Sequence, residues 1–401
     1  MSEWRSTTLS DLCRNGVIQT GPFGSQLHAE DYTDVGVPVV MPVNLVGGRI
    51  NPSGIARISG EDVDRLSRHR MQPGDVVYSR RGDITRCALI TDHEEGWLCG
   101  TGCLLVRPSP DICHRWLFYW LSTPTTHDWL IRHSVGATMM NLNTNILSAL
   151  PVDLPPLVEQ KRIASVLGAF DDLIETNRKL IDRLVETARA SFKVFVPTAA
   201  EVLTYADVVD VGGGGTPKTQ VPEFWGGNVH WATPKDMTAL PSPFLFDTSR
   251  QITDAGLASC SSALYSIGSI LMTSRATIGV FALAQVPTAV NQGFIVVTPR
   301  SEVDRTYVLL EMMSRVPDYL NHANGSTFLE ISRGRFKALP VVWPSDADRE
   351  RLHRDVSPLL VEAAALQVEI ADLIRTRDEL LPLLMSGKIR VDKALEVALW
   401  P

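Results

Sequence analysis

A chain of 401 residues with 44% hydrophobic and 21% charged side chains is long enough for two ordinary globular cores. A net charge of -7 weighs against a protein that coats nucleic acid and leaves any such surface to local clusters, such as Arg80-Arg81 with Arg86 or Arg333 with Arg335. No apolar run is long enough to span a bilayer, the start Met1-Ser2-Glu3-Trp4-Arg5 lacks the look of a signal peptide, and the six cysteines show no paired spacing, so a soluble cytoplasmic protein with reduced thiols is expected.

Residues 1–155 alternate short apolar runs with Gly, Pro and Asn. Val37–Met41, Gly74–Tyr78 and Cys103–Val106 predict strands, Trp116–Leu121 a helix, and Asp128–His133 a second. The class is α+β, rich in strands.

Residues 156–196 predict one long helix. Pro155-Pro156 opens it and Pro197 stops it. Ile163, Leu167, Phe170, Ile174, Asn177, Ile181, Leu184, Ala188, Ser191 and Phe195 step by four and three residues, the ladder of a helix that keeps one seam toward a partner. Asn177 is either a buried polar residue that fixes register or a residue near solvent where the seam opens.

Residues 197–343 repeat the first programme. Gly268–Ile278 lies over Gly74–Ile84 at an offset of 194, so that Arg275 falls on Arg81. Ala338-Leu339-Pro340-Val341 lies over Ala149-Leu150-Pro151-Val152 at an offset of 189. At that same offset the ladder returns in residues 344–387, with Leu352, Val356, Leu359, Ala363, Leu366, Ile370, Leu373, Arg377, Leu380 and Leu384. Pro358 and Pro382 predict a kink or late start and a frayed end, and Gly387 a stop. Residues 388–401 form a tail with little signal. The chain therefore reads as two copies of a domain-plus-helix unit.

No catalytic constellation emerges. Gly212–Lys218 resembles a phosphate loop, but Pro217 stands before the Lys where a backbone N–H is needed. Cys99, Cys103, Cys113 and His114 match no zinc spacing, and Glu159-Gln160-Lys161 suits the first turn of a helix better than a nuclease site. The absence of such motifs points to recognition and away from catalysis.

Gly214-Gly215-Thr216-Pro217-Lys218, the run Glu223–Met237, and the junction Leu154-Pro155-Pro156-Leu157-Val158-Glu159-Gln160-Lys161-Arg162-Ile163-Ala164 resemble the specificity subunit of Type I restriction-modification enzymes, over nearly the whole chain. Gly21–Ser25 and Val39–Leu45 look like a variant of the same domain opening. The resemblance implies two target-recognition domains, 1–155 and 197–343, separated by two long antiparallel coiled-coil helices, central and distal, related by an internal pseudo-two-fold repeat. Double-stranded DNA is then the ligand, with one half of an asymmetric bipartite target per domain. This chain would be non-catalytic and bind no cofactor. Two methyltransferase subunits would bring S-adenosylmethionine and methylate adenine, translocase-nuclease subunits would cut, and no membrane is involved. The implied DNA contacts are loop residues able to fork onto bases or grip phosphate: Ser25, Gln26, Asn44, Arg80, Arg81, Arg86, Thr138 and Asn143 in the first domain, then Lys218, Lys235, Arg275, Thr277, Asn291, Thr327, Arg333 and Arg335 in the second. An S-subunit-like recognition or scaffold protein of a related phage-defence system, and a nucleotide-dependent enzyme, are the alternatives.

Overall fold

The computed structural model describes residues 4–136, 139–324 and 329–391, with the side chains of residues 14 and 16 left undescribed. The chain divides into two compact units, one made of residues up to Ile174 together with those from Asp372 onward, the other of Glu175–Ala371. The division cuts through both long helices, Leu157–Val194 and Asp346–Met385, so each unit owns a segment of each.

The first unit is organised on an antiparallel sheet in the order Cys13–Thr20, Cys103–Pro108, Val76–Ser79, Cys87–Leu89. Its two central strands are apolar at nearly every position because both faces are covered. Alternation sorts the side chains: Val76, Tyr78, Leu104 and Val106 pack with Trp116 and Leu117 of the helix His114–Leu121. Val77, Cys103 and Leu105 point the other way, toward Val40, Leu45 and Met71. A second sheet holds Leu98–Cys99, Val37–Val40, Ala56–Ile58 and Tyr32–Thr33 in that order. Ile163, Leu167, Leu384 and Met385 join the cluster around Trp116, so both long helices complete this core.

The second unit repeats the plan. Val209–Gly212, Phe294–Pro299, Ile270–Thr273, Phe281–Ala284 and Phe244–Leu245 form one sheet in that order, and Gln251–Ile252, Trp225–Ala232 and Thr288–Val290 a smaller one. A two-stranded pairing leads into the long helix in each unit: Arg5–Thr8 with Pro151–Leu154, and Ala200–Thr204 with Pro340–Pro344. Cys87 and Cys103 sit on buried strands where the second unit has Phe281 and Phe294. Burial pushes the Cys87 thiol up to about 11 and the Cys99 thiol to about 12.

Along the first long helix Ile163, Leu167, Ile174, Asn177, Ile181 and Ala188 are buried, while Phe170 and Leu184 are half-buried. Asn177 is the buried case: its Nδ2 donates to Glu369 Oε2 at 3.1 Å. On the second, Leu366 and Ile370 are buried and Leu373 and Leu380 half-buried, since with Phe170 and Leu384 they line an open apolar groove in the first unit. The ladder needs one correction. Leu360, not Leu359, is the buried member, and it lines a pocket of its own unit with Phe244, Leu283 and Leu309.

Of the two outcomes expected at Pro358 the late start does not occur: the helix begins earlier, at Asp346, and runs on through this proline. It lies on the exposed face, where the carbonyl it leaves without a donor can meet water, while Val356 and Leu360 stay packed. The start is set earlier by Asp348, whose Oδ2 accepts from Thr198 N and Oγ1 at 2.8 Å and from Ser345 Oγ at 2.9 Å. Gly387, at a φ of +68°, ends the helix in the left-handed conformation. Among the described residues no helix is long and apolar enough to cross a membrane.

Candidate nucleic-acid interface

In the first unit, backbone hydrogen bonds gather four loops. Arg80 N donates to Gly102 O, Leu142 N to Arg80 O, and Gly82 N to Met140 O, while Thr101 Oγ1 donates to Pro22 O at 3.0 Å. Gly21 is required there, because a Cβ would collide with the Gly100 carbonyl. The result places Arg80 over the ring of Phe23, 5.5 Å from its centroid, with Arg81 beside it in solvent. Partial burial, then repulsion from Arg81, lowers the proton affinity of Arg80. Arg86 is tied to Asp83 at 2.9 Å.

The second unit gathers its loops the same way. Ser274 N donates to Gly293 O, Ile331 N to Ser274 O, and Gly215 N to Val290 O. Arg333 lies against Gly213, Tyr265 donates to the Gly213 carbonyl, and Thr216 Oγ1 donates to Gln292 Oε1 at 2.6 Å. The glycines of 212–215 serve this packing. A Cβ at Gly212 would strike Tyr265, one at Gly214 the Val290 carbonyl, and one at Gly215 the Ser261 hydroxyl. Close packing thus accounts for these glycines, with Arg333 against the loop at Gly213.

Of the residues expected at DNA, Ser25, Arg81, Lys218, Lys235, Thr277, Arg333 and Arg335 are exposed and Arg80 is half-buried at the surface. Arg275 is exposed but paired with Glu330 at 2.8 Å. Asn44 must be withdrawn: it is buried, its Oδ1 accepts from Met41 N at 2.9 Å, and its Nδ2 donates to Asn51 O at 3.1 Å, so it holds a turn. Gln26, Asn143 and Asn291 also spend their side-chain oxygens on local backbone, at Phe23 N, Ile146 N and Gly293 N. Thr138 and Thr327 lie outside the described residues. The loop clusters also hold Phe23, Asn141, Gln292 and Glu330, which sequence reasoning did not single out. Phe23 lies inside the Gly21–Ser25 motif, where the only signal was an aromatic residue among turn formers, and it is 51% exposed.

No group of three or more His, Cys, Asp or Glu side chains among the described residues is placed to hold a metal ion. Both clusters expose guanidinium groups suited to phosphate and base edges, with the carboxylates of Asp83 and Glu330 beside them.

The type I restriction modification DNA specificity domain matches residues 1–186 and again 197–384. Over 183 residues the chain is 32% identical to the type I restriction enzyme MjaIX specificity subunit of Methanocaldococcus jannaschii, covering 45% of this chain and 42% of that protein. It is 20% identical over 473 residues to the type I restriction enzyme HindI specificity subunit of Haemophilus influenzae, covering 97% and 100%. The crystal structure of a type-I restriction-modification system S subunit from M. genitalium matches with a TM-score of 0.54 at 16% identity, over 95% of this chain and 96% of that one.

Proposed function

We propose, from the premise that the chain belongs to the type I restriction-modification DNA specificity family, that it is the subunit that reads the DNA target for partners that do the chemistry. Each unit binds one half of a bipartite, asymmetric site. The observation that carries this reading is the recurrence, in both units, of the same bonded loop cluster with arginines at its surface, at Arg80-Arg81 and at Arg275 with Arg333. The stretches between the shared framework positions differ, so the two half-sites differ.

The two long helices act as a spacer, paired antiparallel as a coiled coil about a pseudo-two-fold axis. In support, Asp171 meets Arg377 at 2.6 Å within the first unit and Asn177 meets Glu369 within the second, so later residues of one helix face earlier residues of the other. Methyltransferase subunits carrying S-adenosylmethionine, and translocase-nuclease subunits, dock on this chain, which itself is non-catalytic and works in the cytoplasm.

Methylome sequencing of a host expressing this chain with its methyltransferase subunit tests the reading: a split motif with two unlike halves is expected, and methylation without sequence preference would sink it. Deleting one heptad within Ile174–Ile181 should alter the spacer or abolish assembly with both half-sites kept; changed half-sites over an unchanged spacer would refute the spacer role.

A further inference from the structure

The hydrogen-bonded frame around the surface arginines is the same in both units. Arg81 is bridged to Asn141, which exchanges backbone hydrogen bonds with Val135, and Gly82 N donates to Met140 O. Arg275 is bridged to Glu330, which exchanges them with Asn324, and Ala276 N donates to Leu329 O. Leu142 N on Arg80 O is matched by Ile331 N on Ser274 O. Asn141 and Glu330 thus hold one and the same place, and they differ in charge. Glu330 holds Arg275 Nε at 2.8 Å, whereas among the described residues no carboxylate pairs with the exposed guanidinium of Arg81.

A guanidinium offers the same fork of N–H donors to a carboxylate and to a phosphate, so Glu330 competes with DNA for Arg275. The pair stands at the surface, with side-chain exposures of 45% and 39%, so the guanidinium is within reach of phosphate once the carboxylate is removed. We propose that Glu330 is a positioning residue that withholds Arg275 from the DNA backbone, so that the second domain grips its half-site less firmly than the first, where Asn141 leaves Arg81 free. This rests on the DNA-recognition function above. The charge at this one place sets the balance of grip between the two half-sites, apart from any base readout.

The test uses the chain assembled with its methyltransferase subunits and a fluorescent duplex bearing the motif found by methylome sequencing. Glu330→Gln should bind more tightly than wild type at low salt and steepen the log–log salt dependence by about 1, so that its advantage shrinks about 3-fold between about 50 and 200 mM salt. Asn141→Glu should shift affinity and slope the opposite way. In an Arg275→Ala background Glu330→Gln should have no effect. An unchanged slope in Glu330→Gln, or a gain that survives Arg275→Ala, overturns the proposal. Thermal unfolding of each variant separates loss of grip from loss of fold, and Glu330→Gln carries the test if Asn141→Glu fails to fold. A wild-type complex that binds no duplex overturns the DNA function itself, and this inference with it.

Discussion

Asp75, just before the strand Val76–Ser79 of the first unit, takes two hydrogen bonds from Arg107, at 2.8 and 2.7 Å; at the matching place in the second unit, two hydroxyls, Ser269 and Thr298, stand 3.3 Å apart. The long helices repeat the contrast. Asp171 accepts from Tyr119 and Arg377, with Arg115 on the neighbouring Asp172, whereas Leu360, 189 residues on, is buried and lines a pocket with Phe244, Leu283 and Leu309. One backbone plan thus tolerates ionic fastening in one copy and neutral or apolar fastening in the other, provided each set of partners is complete. What a duplicated fold retains is satisfied pairing, while the chemistry of the pair is free to drift.

The largest effect should come from mixing the two solutions. Asp75→Ser imports half of the second unit's arrangement and leaves the largely buried Arg107 without its carboxylate, which should cost the first unit about 3 kcal/mol in hydrogen-exchange or denaturant measurements. Adding Arg107→Thr completes the set and should restore most of the loss. A double variant no better than the single would mean that the two sheets are not interchangeable at this place.

A smaller effect should appear in acid, where the fastening at the start of the second long helix is ionic. Burial opposes the charge of Asp348, but hydrogen bonds from Thr198, Ser345 and the backbone N–H of Ala199 and Thr198 hold its carboxyl down at about 2, below the ordinary 3.8. A depressed folded value means the contribution is present above the ordinary value and lost as pH falls through the window from 3.8 toward about 2. Asp348→Asn should therefore flatten the dependence of the second unit's stability on pH across that window. Equal slopes in wild type and variant would remove Asp348 from the account.

The smallest effect sits in the arginine loops. Gly82, at a φ of +77°, has as its counterpart Ala276 at +58°, a left-handed conformation that a Cβ disfavours. Ala276→Gly should stabilise the second unit and Gly82→Ala destabilise the first, each by about 1 kcal/mol. Open space surrounds the Cβ position at Gly82, so the loss would be conformational alone. Shifts of the same sign in both would show that the loops are not equivalent.

The long helices and the duplicated plan were legible because spacing records them: Ile163, Leu167, Ile174 and Ile181 are buried as a period of 3.5 residues requires. The exchange of Leu359 for Leu360 was not, since Leu360 is buried beside a pocket lined by Phe244, Leu283 and Leu309, residues distant in sequence that helical spacing does not record. The interface was half legible. Arginine and lysine are rarely buried, so their type alone predicted exposure, but asparagine serves local turns as readily as base edges, and Asn44 is spent inside one. Glu330 carried no signal until the bridge to Arg275 placed it opposite Asn141.

The first unit draws Leu384 and Met385 into the buried cluster around Trp116, although its strands end more than two hundred residues earlier. During synthesis those strands leave the ribosome long before the residues that close their core, a wait of about 10 to 40 s at ordinary elongation rates. The second unit has every residue of Glu175–Ala371 available first. The half of the molecule made first is therefore finished last, and no chain that stops short of Leu384 can close the cluster around Trp116.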